Sequence, residues 1–107
     1  MINLDIAAFR AWLEAKEPTK RVGLARECSV CPLAMFTFQQ TSMAQQTVRV
    51  YDGYAIVVTR EGCRTEPLPE WASTFVTFVD TSGEHDITAA AALEILGRVE
   101  RMEGLAS

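Results

Sequence analysis

The run LPEWASTFVTFVD, residues 68–80, decides the fold, because its composition favours one element and its spacing another. Thr74, Val76, Thr77 and Val79 are β-branched and prefer a strand. Leu68, Trp71, Phe75 and Phe78 nevertheless recur at i, i+3, i+7 and i+10, and strict apolar–polar alternation is missing. Burial on one face outweighs intrinsic propensity, so the spacing predicts a helix, with Pro69 and Glu70 suited to its first turn.

Working outward, AAAALEILGRVERM, residues 89–102, repeats the helical pattern through Leu93, Leu96 and Val99, flanked by Ile95 and Met102, with Thr88 placed to cap it and Gly97 weakening it slightly. DTSGEHD, residues 80–86, reads as the loop between these two helices. Upstream, TVRVYDGYAIVVT, residues 47–59, sets two β-rich runs around Asp52-Gly53, a dipeptide that favours a tight hairpin turn. Its second strand has apolar residues on both faces, which predicts cover on both sides. REGCRTEP, residues 60–67, reads as a loop.

Near the start, DIAAFRAWLEAK, residues 5–16, places Ile6, Phe9 and Leu13 on one side of an amphipathic helix, with Trp12 beside them. Pro18 ends it, and a short extended piece is expected around Val22. Pro32 suits a first helical position, so Cys31 becomes the N-cap of a helix reaching about Gln40, with Leu33 and Phe36 inward. The expected architecture is α+β, a single domain over residues 1–107, in the order helix, helix, β-hairpin, helix, helix.

Composition narrows the function. The chain has 107 residues, of which 49% are hydrophobic and 22% charged, a balance suited to one globular domain. No apolar run approaches the roughly 20 residues of a membrane helix, so no membrane association is expected. Three cysteines are too few for a disulfide scaffold and point to thiols in a reducing cytosol. Residues 1–60 carry seven bases and five acids, whereas residues 61–107 carry three and nine. Such a split suits a solvated acidic surface or association with a basic partner. The Ala- and Arg-rich, Lys-poor composition is of a kind common in small bacterial or phage proteins.

Chemistry-bearing residues are sparse. Cys28 and Cys31 have C-x-x-C spacing, and a thiol at a helix start has its thiolate favoured by the helix dipole. The preceding KRVGLARE is a poor strand and the proline follows both thiols, unlike a thioredoxin-type redox pair. Cys28, Cys31, Cys63 and His85 together would supply a Cys₃His set for zinc, but the later spacings match no zinc signature. The simpler reading makes Cys28 and Cys31 small buried space-fillers, with no cofactor. His85 has no nucleophile tied to it by a motif, and no glycine-rich phosphate loop occurs. Lys16, Lys20, Arg21 and Arg26 form a basic cluster that reads as a solvated loop or a contact for a phosphate or an acidic partner.

The third and fourth helices add only Arg98 and Arg101, which argues against nucleic acid. Trp12, Phe36, Phe38, Trp71, Phe75 and Phe78 exceed what a small core needs and point to an aromatic-rich contact surface. The expected function is therefore a non-enzymatic regulatory or interaction module that binds another protein or a second copy of itself; the alternative is a zinc or thiol-redox protein built on Cys28, Cys31, Cys63 and His85.

Overall fold

The computed structural model describes residues 4–27, 31–41, 47–51, 53–59 and 62–102. It is a mixed α+β domain with element order α-β-α-β-β-β-α-β-α. The helices are α1 (Ile6–Glu14), α2 (Pro32–Thr41), α3 (Glu70–Asp80) and α4 (Ala89–Met102), and the strands are β1 (Arg21–Leu24), β2 (Thr47–Val50), β3 (Tyr54–Thr59), β4 (Gly62–Pro67) and β5 (Asp86–Thr88).

All four expected helices form, and residues 70–80 are helical. In α3 the side chains of Trp71, Ala72, Phe75, Val76 and Val79 are buried, whereas Phe78 is half-buried under the Arg98 guanidinium, 5.2 Å from its ring centre. The starts of α1 and α4 are capped by side chains, whereas Pro69 at the start of α3 offers none. The Asp5 carboxylate accepts the Ala8 N–H at 3.3 Å, and the Thr88 hydroxyl accepts that of Ala91 at 3.2 Å. Two further α4 donors, Ala89 N–H and Ala90 N–H, reach back to the carbonyls of Lys20 and Pro18.

Phe9 is the centre of the core. It is fully buried, with ring centres of Phe75 at 5.0 Å edge-on, Phe36 at 5.1 Å, Trp71 at 5.8 Å and Trp12 at 6.1 Å. These rings come from α1, α2 and α3, so one residue ties three helices together. Leu96 and Val99 of α4 are also fully buried, and an Arg10–Glu100 ion pair joins α1 to α4 at the surface.

The expected order needs three corrections. The extended piece at Val22 is a strand, β1, that pairs antiparallel with β5, a segment the sequence places in a loop; the register is Arg21↔Thr88, Gly23↔Ile87 and Leu24↔Asp86, with Val22 as the extra residue of a bulge. Residues 62–67 are a third strand rather than a loop, and the sheet order is β2-β3-β4. Finally, β3 is covered on one face only. Ala55 and Val57 are buried together with Val48 and Val50 of β2, while Tyr54 and Val58 stay 40% and 38% exposed. Among the described residues the helices cover one side of this sheet. The turn residue Asp52 lies outside the described residues, and Gly53 has φ +92°, which glycine adopts without strain.

Candidate functional site

Two regions concentrate exposed or chemically versatile groups, and both adjoin the β2–β3 hairpin. The first begins at the chain reversal after β1. Arg26 has φ +62°, in the left-handed region that non-glycine residues avoid. Two hydrogen bonds from the far end of the sequence hold this bend: the Arg26 N–H donates to Asp80 Oδ1 at 2.8 Å, and the Ala25 N–H donates to the His85 carbonyl at 2.8 Å. A carboxylate at the last residue of α3 faces the negative end of the helix dipole, so Asp80 occupies an unfavourable position that its bond to Arg26 offsets. Asp80→Ala is expected to cost about 1 to 2 kcal/mol, read as a lower urea midpoint.

Beside this bend lies a cleft of about 360 Å³ lined by Arg26, Glu27, Cys31, Val50, Tyr51, Val76 and Asp80. Cys31 is only 5% exposed and is the N-cap of α2, as its sequence context predicts: its Sγ accepts the Ala34 N–H at 3.4 Å and its carbonyl accepts the Met35 N–H. The sulfur thus has a structural task at the helix start. Cys28 lies outside the described residues. Cys63 is exposed on β4, and His85, 59% exposed, stands before β5 with Asp86 Oδ1 at 3.7 Å from Nδ1. Cys63 therefore belongs to one sheet and His85 adjoins the other. Among the described residues no three of His, Cys, Asp or Glu converge where an ion could be held.

The second region is the outer face of the β2-β3-β4 sheet. Cross-strand register places Arg49, Ile56 and Thr65 in one row, Val58 beside Cys63 in another, and Tyr54 beside Pro67 in a third. Tyr51 stacks on Tyr54 with ring centres 5.1 Å apart. Among the described side chains, Arg49 is the one charge on this face; the rest is apolar or neutral. Tyr51 also lines the cleft, so the two regions meet there.

Hydrogen-bond parity fixes which backbone groups of β4 face outward. The Leu68 N–H donates to the Gly53 carbonyl, which makes Leu68/Gly53 a hydrogen-bonded pair. The pairs Glu66/Ala55 and Arg64/Val57 then bond likewise, since such pairs alternate along an antiparallel ladder. The N–H and C=O groups of Cys63 and Thr65 therefore point away from β3, as does the nitrogen of Pro67, which has no hydrogen to donate. This outward row was invisible in the sequence, because it depends on register and not on side-chain type.

Of the expected aromatic surface, Phe36, Trp71 and Phe75 are buried in the core, whereas Trp12 and Phe78 are half-buried. The Phe38 side chain lies outside the described residues. Among the described rings the exposed one is instead Tyr54 of the hairpin, with half-buried Tyr51 stacked on it. Of the basic cluster, Lys16, Lys20 and Arg21 gather beside Trp12, and Arg26 stands apart in the cleft. Among the described residues no helix is long and apolar enough to cross a membrane. Compared with known protein families, curated proteins and solved structures, the chain matches none.

Proposed function

We propose that this protein is a small cytosolic, non-enzymatic regulatory module that works by protein contact and associates with a second copy of itself through β4. The observation that carries the reading is the self-complementary edge of that strand. β4 has the sequence GCRTEP, almost wholly exposed, at the margin of its sheet. Exposed strand edges are templates for pairing unless something blocks them.

Centring a two-fold axis on Thr65 pairs each Thr65 with its counterpart through outward N–H and C=O groups. Cys63 N–H then donates to the carbonyl of the partner's Pro67, giving about four backbone hydrogen bonds across the join. In the same register Arg64 stands opposite the partner's Glu66, twice by symmetry. These are non-hydrogen-bonded positions, where facing side chains are closest, and each opposed charge pair contributes about 0.2 to 1 kcal/mol. Within one chain Arg64 already holds Glu66, Nε to Oε2 at 2.8 Å, so both side chains are aligned on the face that pairing requires. Pro67 limits sliding, because a shift that centres the axis on it leaves no N–H to donate. The outer faces of the two copies, largely apolar or neutral apart from Arg49, become one larger surface for a further protein.

Light scattering across a concentration series tests the reading, with a dimer expected as concentration rises. Thr65→Pro is expected to yield a monomer that keeps its fold, since the lost N–H points away from β3. Glu66→Arg should weaken association about tenfold or more, a change of roughly 1.4 kcal/mol, and Arg64→Glu combined with Glu66→Arg should restore it. A wild-type chain that stays monomeric throughout, or a Thr65→Pro variant that still dimerises, overturns the proposal.

A further inference from the structure

We infer that the protein carries a second binding site, a groove along β1 that takes a short acidic peptide bearing apolar side chains. A cleft of about 270 Å³ is lined by Trp12, Lys16, Lys20, Arg21, Val22 and Met35. It adjoins another of about 210 Å³ lined by Arg21, Val22, Gly23, Leu24 and Met35. The shared residues Arg21, Val22 and Met35 make the two one continuous groove. Its floor is apolar and its rim is cationic.

The rim is fixed in place. The carbonyls of Pro18 and Lys20 accept the Ala90 and Ala89 N–H groups at 3.0 and 2.8 Å, which ties the basic loop to the start of α4. Lys16 is drawn over Trp12, its ammonium 4.9 Å from the ring centre. No carboxylate lines either cleft among the described residues. Glu17 shares the turn, where its carbonyl accepts the Lys20 N–H, but its side chain lines neither cleft. Arg21 has Asp86 Oδ1 at 3.5 Å, and both of those side chains are more than 60% exposed. An exposed pair of this kind is weak, so an incoming carboxylate replaces Asp86 at little cost.

The chemistry favours a peptide over a polynucleotide. Three cations on a chain of net charge −4 neutralise few phosphates. The Trp12 ring, which could otherwise stack on a base, already has Phe9 stacked against it at 6.1 Å and Lys16 above it. A peptide needs neither: alternating carboxylates meet Lys16, Lys20 and Arg21, while a leucine or phenylalanine lies over Val22 and Met35.

Fluorescence anisotropy with a labelled peptide of glutamate and aspartate interspersed with leucine and phenylalanine tests the site on the full chain. Saturable binding that weakens as salt is raised is expected. Lys16→Glu combined with Lys20→Glu should lower affinity at least tenfold while far-UV circular dichroism stays unchanged, and that variant should instead bind the matching lysine-containing peptide. The Thr65→Pro monomer should bind as well as wild type, which separates this site from the β4 contact. Absence of saturable binding, binding indifferent to the double charge reversal, or a single-stranded oligonucleotide bound more tightly than the peptide would each overturn the inference.

Discussion

Phe9→Ala is expected to destabilise the domain by about 3 to 5 kcal/mol, a large part of the roughly 5 to 15 kcal/mol that holds a small protein folded. Phe9 is fully buried and touches four other aromatic rings drawn from three helices. Removing it opens a cavity that those rings, locked against one another, can close only in part. Loss of near-ultraviolet dichroism together with a much lower urea midpoint checks the prediction. Phe9→Leu, which refills most of the volume, should cost far less. An equally small loss for alanine would mean that the cluster does not organise the core.

Ile87→Ala is expected to cost about 2 to 5 kcal/mol, although it sits in a strand of only three residues. Its side chain is fully buried, opposite Gly23 in the β1–β5 pair. The substitution removes apolar contacts at the point where β1 meets β5, so the loss should exceed that of Val58→Ala on the open sheet face. Comparing the two urea midpoints is the check. Similar losses would show that the small sheet adds little to the core.

The helices were legible because each displays its burial in the spacing of large apolar residues: Phe9 and Leu13 in α1, Trp71 and Phe75 in α3, Leu96 and Val99 in α4. The hairpin was legible from Asp52-Gly53 between two β-branched runs. β4 was not, for a physical reason. Its side chains are exposed on almost every residue, so the strand is held by backbone bonds to β3 and has no apolar alternation to show. β5 was hidden by its length, since one buried side chain, Ile87, makes no period. The expected cover on both faces of β3 failed at Tyr54 and Val58, because apolar identity does not reveal which side the helices take. Cys31 was placed correctly as a helix cap. The outward groups of β4 and the groove along β1 needed register and packing, which spacing alone does not encode.

The pairing of β1 with β5 joins residues 21–24 to residues 86–88, and α1 also packs against α4. During synthesis the early segments must wait, half-finished, until residues 86–102 have left the ribosome, because the surfaces that shelter them are made about sixty or more residues later. Closing a loop of that span before it is rewarded slows folding relative to a bundle built from neighbouring helices. A chain cut short before residue 86 would lose β5 and α4, leaving β1 unpaired and the α4-facing side of α1 bare, so early termination yields a sticky fragment in place of a smaller working domain.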